Sequence, residues 1–369
     1  MADDCFGSVV RATEGGPGNA DHTRVKSYFL ERSAIFRDLL AVQNAVWSRP
    51  EVDDYFKLQR TRADSATATQ KKWFFKMMRA LGDQLQAQMD IIPLPNEAEE
   101  FKVLDICMAP GGYSATVLKH HRNARISALS LPKEDGGHDI LLPNWKNHPR
   151  VEVELMDITM LSSEFGYPGL LPLDHPAASQ FSPHRPFVES QFDLIFCDGQ
   201  VLRSHHRAVT CQSEPSRLIT AQLILALQRI QRGGTIVLLL HRVHSPRSVR
   251  IIEAFSHFAD INLVKPTGFH ASRNSFYLVA KNLDPTNMNA WQLLNHLKNQ
   301  WKVATLQAFG CEPQSNEIPE LGGDMERLMD SFGRTILDLS EPLWEIQARA
   351  LRKKFLKGRG IETGLPRQC

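Results

Sequence analysis

Asp105 stands near the end of a short apolar run, Val103-Leu-Asp-Ile-Cys107, and is followed by Met108-Ala-Pro-Gly-Gly-Tyr-Ser114 and a helix-compatible stretch. The pattern predicts a buried strand, a tight turn and a helix. The first amides of a helix have no partner within it, and glycines let a ligand approach that backbone closely. Ala109, Pro110, Gly111, Gly112 and Tyr113 therefore form a candidate cofactor cradle, with Asp105 placed to accept hydrogen bonds from a ligand amine or hydroxyl. An ordinary strand-to-helix turn can carry the same glycine pair, so the pair alone does not decide. A second set is basic: Arg60, Arg62, Lys71, Lys72, Lys76 and Arg79 are interleaved with Trp73, Phe74 and Phe75. Such a mixture can hold phosphates and stack bases, and it can equally solvate the outer face of a packed helix.

The bulk composition narrows the setting. Lysine and arginine number 43 against 41 acidic residues in 369, so there is no overall basic field and nucleic acid would need a local patch. Six scattered cysteines without paired spacing read as reduced thiols of an intracellular, cytoplasmic or nuclear, protein. The N-terminus lacks the basic and apolar regions of a signal peptide, and no apolar run approaches membrane-spanning length, so no membrane partner is expected. Fourteen histidines show no ligand spacing, and no metal is expected. The sequence sets no oligomeric state.

The elements that must position these residues follow from periodicity. Residues 1–24 are polar and glycine-rich and are expected to form a loose tail, with a helical region over 25–95. Over 96–283, apolar runs at Val103–Cys107, Ile126–Leu131, Val151–Leu155, Phe192–Cys197, Thr235–Leu240, Ile261–Val264 and Phe276–Ala280 alternate with helical stretches at Ser114–His121, Pro215–Gln231 and Ser248–Phe258. Strands alternating with helices predict an α/β fold with a mostly parallel sheet covered on both faces. Gly233-Gly234 reads as a helix stop leading into a strand. The proline-rich stretch Leu161–Gln191 opposes regular structure, and the polar stretch Gly199–Ser213, directly after a strand end, should border the site. Residues 284–369 read as a helical extension, with one helix around Trp291–Val303 and two more at Leu328–Leu337 and Leu343–Leu356.

Asp105-Ile-Cys-Met-Ala-Pro-Gly-Gly-Tyr-Ser114 resembles the Asp-x-x-x-Ala-Pro-Gly-Gly-(Trp/Tyr) signature of the FtsJ/RrmJ-like methyltransferases. The resemblance covers roughly residues 70–282. It implies a Rossmann-like class I sheet whose last strand is antiparallel, S-adenosyl-L-methionine as cofactor, and an RNA ribose 2′-oxygen as acceptor. It further implies that Asp157, after the third strand, contacts adenine. Ser130 stands near the place where methyltransferases usually carry an acidic residue for the cofactor ribose, with Glu134 and Asp135 shortly after.

The family surrounds the acceptor hydroxyl with a Lys-Asp-Lys-Glu tetrad. Phe75-Lys76-Met77 is similar to the segment carrying the first lysine, and Asp198 matches the aspartate. Ungapped alignment puts Leu239 at the second lysine and Ser275 at the glutamate. Alternation along a strand turns His241 to the same side as Leu239, where its imidazole is a candidate general base. His244, His205 and His206 lie on segments expected to flank the same opening. The resemblance thus implies an S-adenosylmethionine-dependent methyltransferase acting on RNA. The two departures leave open a non-catalytic relative that binds cofactor or RNA, and a methyltransferase for a small-molecule acceptor.

Overall fold

The computed structural model describes residues 17–52, 54–55, 57–58, 67–94, 100–201, 207, 213–311 and 321–356. Seven strands form one sheet in the order β3-β2-β1-β4-β5-β7-β6: β1 (Phe101–Ile106), β2 (Ala124–Ser130), β3 (Val151–Leu155), β4 (Phe192–Cys197), β5 (Ile230–His241), β6 (Asp260–Val264) and β7 (Ser275–Leu283). The first five run parallel, and β7 inserts antiparallel between β5 and β6. This is the expected class I arrangement.

Strand side chains alternate, and the sheet divides its apolar residues accordingly. Leu104, Ile106, Ile195, Leu238 and Leu240 pack on one face with α1 (Pro17–Arg32), α2 (Ala34–Trp47), α5 (Glu214–Arg229), α6 (Pro246–Ser256), α7 (Met288–Ala308) and α8 (Met325–Leu351). Val103, Ile126, Phe196, Val237 and Leu239 pack on the other with α3 (Ala68–Met89) and α4 (Gly112–His120). Thr67 caps α3 with a reciprocal capping box to Gln70, which fixes where the helix starts over the sheet.

Three expectations on element boundaries are corrected. Residues 17–24 belong to α1, where Val25 and Phe29 bury against the core, so helix begins inside the polar stretch; residues 1–16 lie outside the described residues. The two terminal helices are one helix, α8, with Pro342 inside it. A proline there costs about 3 kcal/mol, which burial of Leu337, Leu343, Trp344 and Ala348 offsets. Gly233-Gly234 is not a helix stop: α5 ends at Arg229, β5 starts at Ile230, and Gly233 at φ +82° lies by a register irregularity within the strand. Among the described residues no helix is long and apolar enough to cross a membrane, and no cluster of metal-ligating side chains occurs.

Candidate active site

A groove with a cavity of about 230 Å³ opens beyond the carboxyl ends of the parallel strands. Its floor is Cys107, Ala109 and Pro110 after β1, Ser130 at the end of β2, Asp157 after β3, and Asp198 and Gln200 after β4. Phe74, Met78 and Leu81 of α3 close one side.

Two carboxyl groups define the centre. Asp105 is 2% exposed and accepts a hydrogen bond from Ser114 Oγ at 2.5 Å. Burial pushes its pKa up to about 6. Asp198 is partly open to the groove and accepts from the Tyr277 hydroxyl at 3.3 Å. Burial, and then the neighbouring Asp105 charge, raise its pKa to about 7. Neither has a salt-bridge partner among the described residues. Tyr277 stands directly across the β5–β7 ladder from Leu239. Its hydroxyl also meets the Tyr113 hydroxyl at 2.6 Å, and the Tyr113 ring lies flat on Phe196, 4.9 Å between centroids. His270 lines the groove and lies parallel to Tyr277, 6.5 Å between ring centres.

The glycine turn works differently from a bare cradle. Ala109 and Pro110 reach the groove, whereas Gly112 is required by packing: a Cβ there would sit 2.4 Å from Met78 Cβ and 2.8 Å from the Arg79 amide. Gly111 holds φ +95°, with Met108 and Leu142 within 3.3 Å of any added Cβ, and its amide closes the turn on the Met108 carbonyl. Tyr113 is buried behind the groove, 1% exposed. Asp157 lines the groove with its carboxylate already engaged: Oδ1 accepts from the Thr159 amide and hydroxyl, and Oδ2 from Arg207. Arg207 also bonds to Glu214, which pairs with the buried Arg217.

The reaction-side expectations divide. Lys76 is exposed and is not among the groove-lining residues; 71, 74, 77, 78 and 81 form the groove face of α3, and position 76 falls outside that stripe. Lys71 lines the groove instead, bound to Asp139 at 2.8 Å. His241 is not among the lining residues either; its Nε2 lies 2.9 Å from Gln200 Oε1, and Gln200 lines the groove. His244 packs against Phe36 on the other face, where burial pushes its pKa down to about 3. Ser275 is buried, 3.4 Å from His270 Nδ1. Lys72, Lys76 and Arg79 follow one another along one stripe of α3, while Arg60, Arg62, His205 and His206 lie outside the described residues.

A family model described as FtsJ-like methyltransferase matches residues 83–283, more than half of the chain. The chain belongs to the FtsJ-like methyltransferase family. Among solved structures, this FtsJ-like chain is similar to a protein assigned as a ribosomal RNA methyltransferase from Plasmodium falciparum, at 17% identity over 56% of this chain and 96% of that one, TM-score 0.36. It is also similar to an rRNA methylase from Streptococcus thermophilus, at 12% identity over 56% and 95%, TM-score 0.33. A third is the N-methyltransferase NodS from Bradyrhizobium japonicum in complex with S-adenosyl-L-homocysteine, at 14% identity over 62% and 98%, TM-score 0.35. None of the curated proteins matches the chain.

The methyl donor of this FtsJ-like enzyme is S-adenosylmethionine, and the groove fits it. Two adjacent, largely buried carboxyls without a cationic partner are the environment that an ammonium and a sulfonium relieve. Leu129, Leu131, Met156, Ile158 and Leu218 supply apolar walls for a planar base.

Sequence reasoning missed Tyr277, His270 and Asp139. Asp139 lines the groove beyond β2, where Glu134 and Asp135 do not reach it. Lys133 and Lys71 bind its carboxylate and hold its pKa down to about 2. Neither Asp139 nor Tyr277 had a local sequence signal: Lys71 lies 68 positions from Asp139, and the cross-ladder register that places Tyr277 is not visible in one strand.

Proposed function

We propose that this protein methylates a ribose hydroxyl of RNA, with Asp198 as the group that takes the hydroxyl proton. The observation that carries this reading is the placement of Asp198: at the groove, beside buried Asp105, held by Tyr277, with its pKa raised to about 7. A base poised near the working pH suits a proton transfer that accompanies bond formation. S-adenosylmethionine supplies an electrophilic methyl group.

This chain's residues do the rest. Asp105 and the end of β1 hold the amino-acid side of the cofactor, and Asp139 accepts from ribose hydroxyls. The Tyr277 and Tyr113 phenols keep the Asp198 carboxyl aimed at the groove. As the new O–CH3 bond forms, the methyl–sulfur bond of the donor would break with its electron pair left on the thioether product, and the acceptor O–H proton would pass to Asp198. Leu239 leaves no lysine to share that proton, and the carboxyl acts without it.

The experiment is incubation with RNA and S-adenosylmethionine carrying a labelled methyl group, followed by complete alkaline hydrolysis. A 2′-O-methyl group blocks cleavage at its own phosphodiester, so label in dinucleotides supports the ribose assignment. Label in mononucleotides would place the methyl on a base, and no label with intact cofactor binding would favour a non-catalytic relative or a small-molecule acceptor.

A further inference from the structure

Trp73 and Phe269 are large apolar side chains left exposed, 48% and 42% respectively, yet they touch: their rings meet edge to face at 5.5 Å. Single exposed apolar residues need no explanation, but these come from α3 and from the connection between β6 and β7, 196 positions apart, and converge. Each has a neighbour in the chain that lines the groove, Phe74 beside Trp73 and His270 beside Phe269. The pair therefore stands at the groove mouth. Phe74 meets Trp73 edge to face at 5.4 Å. From Phe269 the chain continues inward to His270, which lies on Tyr277, which bonds to Asp198.

The charge around the pair completes the pattern. Lys76, one turn from Trp73, and Lys72, one turn from Lys76, are exposed and make no ion pair among the described residues. Stacking faces flanked by uncommitted ammonium groups are what a single-stranded nucleic acid needs: bases stack on rings and phosphates meet the lysines. The two rings stand nearly perpendicular, so one offers its face and the other its edge to a base at the groove mouth.

We infer that the Trp73–Phe269 corner is a stacking platform for an unpaired base of the RNA acceptor, which lies on the face of one ring and meets the edge of the other, next to the nucleotide that enters the groove, with Lys72 and Lys76 on its phosphates. This rests on the RNA reading above and names the form of the RNA, single-stranded at the target. Lys76 thereby acts on the acceptor backbone, outside the groove, and not on the reacting hydroxyl.

The test uses the full-length protein with S-adenosylhomocysteine, a labelled unstructured RNA of about twelve nucleotides, and the same backbone made abasic at its central positions. Wild type should bind the base-bearing RNA roughly 10-fold or more tighter than the abasic one, since stacking is worth about 1–3 kcal/mol per base. Trp73→Ala and Phe269→Ala should each erase most of that difference while leaving abasic affinity and cofactor affinity unchanged. Trp73→Phe should restore much of it. Equal loss on both RNAs, an unchanged preference in Trp73→Ala, or no RNA binding by wild type would overturn the platform. Competition by a free nucleoside at the oligonucleotide's own affinity would assign the rings to a small-molecule acceptor and overturn it too. Failure of the function reading looks different: base-dependent binding that vanishes in the variants, with no methyl transferred, leaves the platform standing and removes the RNA methylation.

Discussion

The Tyr277 hydroxyl donates to Asp198 Oδ1 at 3.3 Å from the strand position directly opposite Leu239. The carboxyl that faces the groove is thus held from across the β5–β7 ladder, by a residue whose ring is buried and whose hydroxyl is also bonded to Tyr113. Buried polar pairs of this kind are costly to break one partner at a time.

Tyr277→Phe keeps the ring and removes the hydroxyl. It should lower kcat/KM for methyl transfer roughly 10–100-fold, with cofactor affinity changed little. Leaving the Tyr113 hydroxyl unpaired should cost about 1–3 kcal/mol of stability, read as a lower urea midpoint. Loss of cofactor binding instead would show that the phenols hold the cofactor side.

The two raised carboxyls make stability depend on pH. Folded Asp105 and Asp198 titrate near 6 and 7, above the ordinary 3.8, so between those values the folded protein holds protons that the unfolded chain has released. The stability that this provides is fully present below about pH 4 and is lost as pH rises through 6 and 7. Urea midpoints of the cofactor-free protein should fall from pH 5 to pH 8. Asp198→Asn should flatten the upper part of that fall.

The same carboxyls should also set cofactor preference. Once ionised they favour a ligand with one more positive charge, so the affinity of S-adenosylmethionine relative to S-adenosylhomocysteine should rise between pH 6 and 8. Calorimetric titration of both ligands measures this. Asp105→Asn should weaken both by about 10-fold or more, as expected for a lost charge-assisted hydrogen bond.

Gly112→Ala separates packing from ligand contact. The added methyl would meet Met78 Cβ at 2.4 Å and push α4 off α3. A stability loss of about 1–3 kcal/mol is expected, with cofactor affinity of the folded protein nearly intact. A wild-type melting temperature would mean that α3 yields freely.

Much of this was legible in the sequence because alternation along strands is a local property: the positions of Val103, Leu104 and Ile106 already assign both faces of β1. The placement of Asp105, Asp157 and Asp198 at strand ends follows from the same runs. What was hidden depends on contacts between distant segments. The register that sets Tyr277 opposite Leu239 needs both strands, and the phase of α3 that turns Lys71 inward and Lys76 outward needs the sheet below it. The path after β2 decides that Asp139 reaches the groove and Asp135 does not. In α8, Pro342 locally opposes a continuous helix, and burial of Leu343 and Trp344 on the other side of it outweighs that local preference.

The most direct test of Asp198 as the proton acceptor compares wild type with Asp198→Asn for transfer of a labelled methyl group to RNA, at saturating cofactor and with binding of S-adenosylhomocysteine measured on the same preparations. Wild type should transfer label, with a rate that rises through about pH 7, and Asp198→Asn should bind the cofactor product while losing on the order of 100-fold or more in rate. Equal rates in the two proteins, with the same pH profile, would contradict it.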